Sequence, residues 1–248
     1  MIPAKRSRLF TAWFARHVEK RFKKSFHAVR IRGLDQLRDS LEQGPALAVS
    51  NHTSWWDPMM IIFLAYRILH VDGYALMDEK NLRRLPFLGR IGGFGVDLED
   101  REDGQRAVRY AASLLSEPGR LVWIFPQGSE RPSTEAITGF KPGAAVIARL
   151  ARQQVSVLPV GMRYVVGAFE RPDALISIGS PLAAETDIEA GRLAQQQAVA
   201  DEVGRIDRYL NTPSEAEGFE PIFIQTPSMM ERLAERWLAR LTRYRFPS

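Results

Sequence analysis

The amino-acid sequence predicts an α/β fold in which a mostly parallel sheet is flanked by helices, with an amphipathic helix at either end of the chain. Short apolar runs alternate with helix-length segments through the middle of the sequence, which indicates a sheet built through crossover connections. The 248 residues are 45% hydrophobic and 25% charged, which suits one α/β domain with helical additions. Polar, turn-forming stretches follow several apolar runs, as site residues do at the carboxyl ends of parallel strands.

The predicted elements fill the middle of the chain and leave distinct segments at both ends. The predicted strands are residues 46–50, 74–77, 94–97, 121–125, 155–164 and 174–179. The predicted helices are residues 58–66, 105–116, 144–152 and 188–210. Residues 211–227, in which three prolines stand among glutamates, predict a surface loop. The chain therefore divides into a basic amphipathic segment (1–32), an α/β domain (33–210) and an acidic loop followed by an amphipathic helix (211–248).

Positive charge is concentrated at the two ends of a chain whose formal net charge is +5. Residues 1–32 carry ten lysines and arginines against one glutamate, and residues 228–248 carry five arginines against two glutamates. Both segments also place apolar side chains at helical spacing. In the first segment these are Phe10, Trp13, Phe14, Val18, Phe22 and Phe26, and in the second Met229, Met230, Leu233, Ala234, Trp237, Leu238, Leu241 and Tyr244. Aromatic faces flanked by arginine and lysine are typical of helices that lie in an anionic membrane interface.

The competing interpretation is that each apolar face packs on the domain while its charges are solvated. We expect membrane contact for the N-terminal segment and domain packing for the C-terminal helix. Nucleic acid is not a predicted partner, because the basic residues match no recognisable binding module. Neither a bilayer-spanning run, which needs about 20 apolar residues, nor a signal peptide stands out. The sequence thus predicts a protein peripheral to the cytoplasmic face of a membrane.

The residue types that are missing exclude several kinds of chemistry. The sequence has no cysteine, which rules out disulfides, thiolate nucleophiles and cysteine-bound metals. Its four histidines, at 17, 27, 52 and 70, lack the spacing of zinc ligands. We therefore predict no metal site.

His52 and Asp57 lie in the stretch NHTSWWDP, residues 51–58, between a predicted strand and a predicted helix. Because a helix turns by roughly 100° per residue, two side chains five positions apart diverge on a continuous helix. They meet only if the turn folds His52 back over the helix start, and Asp57 would then orient a base that activates a hydroxyl. The alternative is that Asp57 caps a helix beginning at Pro58, next to an unrelated histidine.

Three further stretches follow predicted strands. Residues 92–101 are glycine-rich and end at Arg101, and residues 125–132 read FPQGSERP. Residues 139–145 read GFKPGAA and run into a predicted helix, where a lysine and free backbone N–H groups form a natural anion site. Taken alone, each stretch is better explained as an ordinary loop.

In this order, however, the blocks NHTSWWD, FPQGSER, FKPGA and VLPV (157–160) resemble the glycerolipid acyltransferase family that includes lysophosphatidic acid acyltransferase. The resemblance covers about residues 45–180, and its HxxxxD, FPxG and FKxGA blocks are specific in combination. It implies transfer of a fatty acyl group from acyl-CoA or acyl carrier protein to a lipid hydroxyl. No cofactor beyond this thioester co-substrate is implied.

The resemblance also implies roles for individual residues. His52 would be the general base and Asp57 its orienting carboxylate. The substrate site would be formed by Arg101, Gln127, Gly128, Ser129, Arg131, Lys141 and Gly143. The implied partners are a lipid acceptor, an acyl thioester donor and an anionic membrane surface.

The sequence departs from the family pattern where the family binds the acceptor's phosphate. Gln127 stands where glutamate is usual, Ser129 replaces threonine, and Glu130 moves Arg131 one position later. The arginine expected near Leu98 is found only at Arg101. The predicted acceptor is a lysophospholipid such as lysophosphatidic acid, and a non-phosphate amino-acid lipid or glycolipid is the alternative. A non-catalytic lipid-binding module is disfavoured, because binding alone needs no base.

Overall fold

Eight strands form a single sheet flanked by helices in the computed structural model, which describes residues 1–151, 155–167, 169–183, 185–212 and 217–226 together with Leu233 and Trp237. The helices are α1 (Arg8–Ser25), α2 (Leu34–Gln43), α3 (Trp56–Phe63), α4 (Glu79–Arg84), α5 (Arg101–Leu114), α6 (Gly143–Leu150) and α7 (Ile188–Asn211). The strands are β1 (Ala28–Arg32), β2 (Ala46–Ser50), β3 (Asp72–Asp78), β4 (Gly93–Val96), β5 (Arg120–Ile124), β6 (Ser156–Val165), β7 (Asp173–Ile178) and β8 (Glu220–Ile224). A π-helical turn, Leu64–Ile68, continues α3, and a 3-10 helix spans Pro86–Ile91.

The strand order across the sheet is β4-β3-β5-β2-β6-β7-β1-β8. Every neighbouring pair is parallel except β6 with β7 and β1 with β8. The mostly parallel sheet flanked by helices that the sequence predicts is therefore confirmed. Strand β2 lies between β5 and β6 near the centre, so the loops that leave the carboxyl ends of β2 and β5 lie side by side.

The core consists of two apolar layers, one on each face of the sheet. Ala46 and Ala48 of β2 belong to the layer under α1, α2 and α3, whereas Leu47 and Val49 belong to the layer under α5, α6 and α7. Successive side chains of a strand point to opposite faces, which explains why a strand buried on both sides is a continuous apolar run.

Helix α1 is part of the domain, which corrects the division at residue 32. Val18, Phe22 and Phe26 are buried in the core, and the Phe26 ring lies 4.8 Å from the ring of Trp56. Strand β1 pairs with both β7 and β8. The apolar side chains of α1 therefore lie on two faces of the helix. Val18 and Phe22 face the core, whereas Trp13, on the other face, is 60% exposed.

Residues 220–224, predicted as part of a surface loop, instead form β8 at the edge of the sheet. Pro221 is compatible with this strand, because one side of an edge strand makes no ladder hydrogen bonds. The predicted C-terminal amphipathic helix lies outside the described residues, apart from Leu233 and Trp237.

Candidate active site

Asn51 carries the chain out of β2 toward the candidate site. Its side-chain amide donates to the carbonyl oxygen of Met162 (3.0 Å) and its side-chain oxygen accepts from the N–H of Met162 (2.9 Å). Asn51 is buried, and these two bonds extend the pairing of β2 with β6 by one residue, through a side chain in place of the backbone. The direction in which the backbone leaves for His52 is thereby fixed.

The turn after β2 brings His52 and Asp57 together. Nδ1 of His52 lies 2.7 Å from Oδ2 of Asp57, which also accepts from the N–H groups of Thr53 (2.8 Å) and Ser54 (3.0 Å). Helix α3 begins at Trp56, so Asp57 is not its N-cap. The Asp57 carboxylate is fully buried, and its Oδ2 accepts hydrogen bonds from residues that precede Asp57 in the chain. The interpretation of Asp57 as a simple helix cap is therefore wrong.

The imidazole of His52 is held in one plane and keeps one nitrogen free. Its ring stacks on Phe125 with centroids 4.3 Å apart and planes inclined by 19°. In the neutral tautomer whose Nδ1–H donates to Asp57, Nε2 carries the lone pair. The His52 side chain is 17% exposed, so Nε2 is open to a substrate hydroxyl while the ring itself is supported. This arrangement can accept a proton.

The loop after β5 is tied to His52 in both directions. The backbone N–H of His52 donates to Oε1 of Gln127 (3.1 Å), and the N–H of Arg131 donates to the carbonyl oxygen of His52 (2.8 Å). Gly128 stands between these contacts with φ +74°, a left-handed conformation that favours glycine. Gln127, predicted to contact substrate, therefore has a defined partner in the backbone of the histidine.

Lys141 lies against the same loop. Its backbone N–H donates to the carbonyl oxygen of Pro126 (2.9 Å), and a Cβ added at Gly128 would stand 3.0 Å from its Nζ. Gly143, two residues later, is the first residue of α6, and open space surrounds the position of its missing Cβ. A cationic head and a helix N-terminus thus follow one another beside the loop.

Of the remaining predicted site residues, two have exposed side chains and one follows a strand that is not adjacent to β2. Ser129 is exposed, and Arg131 is exposed as well, with Nη1 at 4.0 Å from Oε2 of Glu135. Arg101 begins α5 after β4, and β3 and β5 separate β4 from β2. Three strand spacings of about 4.8 Å place the end of β4 roughly 14 Å from the end of β2.

Glu130 reaches the free nitrogen of the histidine, a contact that the sequence did not indicate. Its Oε1 lies 3.9 Å from Nε2 of His52, although the side chain is 55% exposed. Asn51 and Phe125 were also not assigned roles from the sequence. The one feature of the sequence that could have indicated a role for either residue is its position immediately after a strand.

An apolar slot lies between α3, β3 and the 3-10 helix. It has an empty volume of about 350 Å³, which includes its open mouth. The side chains that line it come from α3, β3 and the 3-10 helix, and include Pro58, Ile61, Ile62, Ala75, Met77, Leu88 and Ile91. The hydroxyl oxygen of Tyr66, also in the lining, lies 2.6 Å from the carbonyl oxygen of Gly73 and 2.8 Å from that of Ile91, and its single proton is donated to one of them at a time. Burial raises the pKa of the Tyr66 hydroxyl, so it remains a donor.

Comparison with known proteins agrees with this geometry. The family model described as Acyltransferase matches residues 28–163. The 1-acyl-sn-glycerol-3-phosphate acyltransferase of Helicobacter pylori is 33% identical over 125 residues, which cover 49% of each chain. This chain spans about half the length, or less, of the curated relatives it matches.

The fold has a counterpart among solved structures. The crystal structure of the 1-acyl-sn-glycerophosphate (LPA) acyltransferase PlsC from Thermotoga maritima superimposes with a TM-score of 0.53 at 19% sequence identity, covering 82% of each chain. That identity supports a common fold and nothing finer. The family match, which covers more than half of the residues and contains both His52 and Asp57, shows that this chain belongs to the Acyltransferase family.

Proposed function

We propose that the protein transfers a fatty acyl group from an acyl thioester to the hydroxyl of a lysophospholipid such as lysophosphatidic acid. The contact that carries this proposal is the 2.7 Å pairing of His52 Nδ1 with the buried Asp57, which leaves Nε2 free beside the loop after β5. The similarity to the 1-acyl-sn-glycerol-3-phosphate acyltransferase of Helicobacter pylori supports the choice of acceptor.

The proposed chemistry is direct transfer. His52 Nε2 takes the proton of the acceptor hydroxyl as its oxygen attacks the thioester carbonyl carbon. The carbon–sulfur bond then breaks, and the leaving thiolate takes the proton from His52 to become the free thiol. Lys141 and the N-terminus of α6 are the groups placed to stabilise negative charge on the reacting carbonyl oxygen or on an acceptor phosphate. Because a thioester is already reactive, neither a metal nor a covalent enzyme intermediate is required.

The apolar slot is our candidate for the site of the fatty acyl chain. Its lining includes Pro58, the residue after Asp57, together with Ile61 and Ile62 of the same helix. An apolar chain laid there would be removed from water at roughly 0.8 kcal/mol per buried methylene.

A panel assay tests the proposed function directly. The protein is incubated with acyl-CoA and with acyl-loaded acyl carrier protein, each against lysophosphatidic acid, its dephosphorylated counterpart and a hydroxylated amino-acid lipid. We expect a product whose mass equals that of lysophosphatidic acid plus one acyl group. A panel that yields no acylated lipid with either donor would contradict the proposal.

Lys141→Ala should lower kcat/KM for lysophosphatidic acid by about ten- to a hundredfold. A hydrogen bond to a charged group contributes roughly 1.5–3 kcal/mol, and the Lys141 side chain lies on Gly128 beside the catalytic loop. The matched control is Arg149→Ala, which removes an exposed cation from the far end of α6 and should change nothing. An equal loss on the dephosphorylated acceptor would show that Lys141 does not read the phosphate.

Glu130 favours a second candidate acceptor, a lipid without the phosphate. A carboxylate 3.9 Å from Nε2 of His52 repels an anionic group beside the reacting hydroxyl and attracts a hydroxyl or ammonium donor. Glu130→Gln in the same panel separates the two acceptors. The variant should improve kcat/KM for a phosphate acceptor and weaken it for an acceptor that donates to the carboxylate.

The surface of α1 supports peripheral attachment to an anionic membrane, which we include in the proposal. Leu9 and Trp13 are 87% and 60% exposed, and Arg16, Lys20, Arg21 and Lys24 are exposed on the same helix. Among the described helices, none is long and apolar enough to cross a bilayer. An exposed aromatic flanked by cations is suited to lie in the headgroup region.

Trp13→Ala should reduce binding to anionic vesicles by about tenfold, because a buried large apolar side chain contributes roughly 1.5–3 kcal/mol. Co-sedimentation with vesicles at several salt concentrations measures it, and salt should weaken the electrostatic part. Leu193→Ala, an exposed leucine on α7, is the control. Deleting α1 is unsuitable as a test, because it removes Val18 and Phe22 from the core. A wild-type protein that does not co-sediment would refute the attachment.

A further inference from the structure

Two buried polar atoms without a hydrogen-bond partner, Asp57 Oδ1 and Tyr164 Oη, bear on the catalytic pair. In the described part of the chain, the buried side-chain atoms that lack a partner are Thr53 Oγ1, Asp57 Oδ1, Arg163 Nη1 and Tyr164 Oη. Asp57 Oδ1 is the second oxygen of the carboxylate whose Oδ2 already accepts from His52, Thr53 and Ser54. A buried carboxylate oxygen without a donor is costly, so Oδ1 calls for one.

Tyr164 stands on β6 at the right place to supply that donor. It follows Met162, the residue that pairs with Asn51, by two positions, so both side chains point to the layer that contains α1 and α3. Its ring packs against Phe26 (5.8 Å), whose own ring packs against Trp56 at the start of α3. The hydroxyl is thereby directed beneath the helix that carries Asp57.

The hydroxyl and the carboxylate act on each other. Burial, together with the charge of Asp57, raises the pKa of Tyr164 well above its ordinary value, so the group keeps its proton. A protonated phenol that is buried needs an acceptor, and Asp57 Oδ1 is a buried acceptor without a donor. The two unmet requirements are complementary.

We propose that Tyr164 is a positioning residue whose hydroxyl donates to Oδ1 of Asp57 and holds the carboxylate so that Oδ2 faces Nδ1 of His52. The histidine would then be oriented by a buried Tyr–Asp pair that joins β6 to α3. The contact itself can be tested without substrate. Its effect on turnover rests on the proposed acyl transfer.

Tyr164→Phe keeps the ring and its packing on Phe26 but removes the hydroxyl. We expect kcat to fall by about tenfold, with KM for both substrates unchanged, because the change acts through His52 and not on bound lipid. In an Asp57→Ala background the same substitution should change the residual kcat by less than about twofold. Tyr209→Phe, a partly buried tyrosine on α7 that packs on Phe219, is the control and should leave kcat unchanged.

Denaturant unfolding of the same variants tests the contact independently of activity. Tyr164→Phe should lower the unfolding midpoint of the wild-type protein, because Oδ1 loses its donor. With Asp57→Ala it should leave the midpoint unchanged or raise it, because the hydroxyl no longer has an acceptor. Two outcomes would overturn the proposal. One is an equal shift of the unfolding midpoint by Tyr164→Phe in both backgrounds, and the other is a Tyr164→Phe enzyme with the kcat of the wild type. If no acceptor is acylated at all, the proposed function fails, while the unfolding cycle still decides whether Tyr164 and Asp57 are coupled.

Discussion

His52→Ala should lower kcat by about 10²–10⁴-fold, the contribution expected of a positioned general base. The effect should fall on kcat, because Nε2 is the atom that takes the proton and the remaining contacts of the site persist. The fold should be retained, since Asp57 keeps the N–H groups of Thr53 and Ser54 as donors and the His52 side chain is on a partly exposed turn.

Steady-state kinetics and a thermal unfolding curve on the same preparation measure both effects. The matched control is His70→Asn, at an exposed histidine with φ +58°, a conformation that asparagine tolerates. This variant should keep wild-type turnover. A His52→Ala enzyme with near-normal kcat would show that another group accepts the proton.

Asp57→Asn should also lower kcat severely, by up to about 10⁴-fold, with a measurable residue of activity. Comparable losses occur when the carboxylate of a catalytic triad is replaced by its amide, because the histidine then adopts the wrong tautomer. Oδ2 of Asp57 accepts from three groups. An asparagine amide accepts only through its oxygen and carries no negative charge, so its restraint on His52 would be weaker.

The kinetics should separate orientation from binding. KM for the donor and the acceptor should stay within about threefold of wild type, because Asp57 is fully buried and does not meet the substrate. Retention of most of the wild-type kcat would mean that the carboxylate serves the stability of the turn and not the orientation of the base.

The strands predicted from the sequence include those that are buried on both faces. Strands β2 and β5 are continuous apolar runs, and such runs are visible without knowing their neighbours. Strand β1, with Arg30 and Arg32, and β8, with Pro221, lack that signal. They are strands because they pair with each other at one edge of the sheet, and such pairing depends on residues far apart in the chain.

The features of the site likewise divide into local ones, which the sequence indicates, and long-range ones, which it does not. The spacing of His52 and Asp57 is local, so the turn that joins them could be foreseen. The partners that hold them could not, because Gln127 lies 75 residues from His52 and Met162 lies 111 residues from Asn51. Arg101 is a further case, since its place in a motif did not reveal that β3 and β5 separate β4, the strand before it, from β2.

The most direct test of the account is to follow thiol release and lipid acylation in one reaction, with and without lysophosphatidic acid. Direct transfer by His52 predicts one thiol released for each acylated lipid, very little release without acceptor, and no gain in protein mass. A stoichiometric burst of thiol without acceptor, accompanied by a protein heavier by one acyl group, would contradict it. That result would establish a covalent acyl-enzyme and replace the general base with a nucleophile.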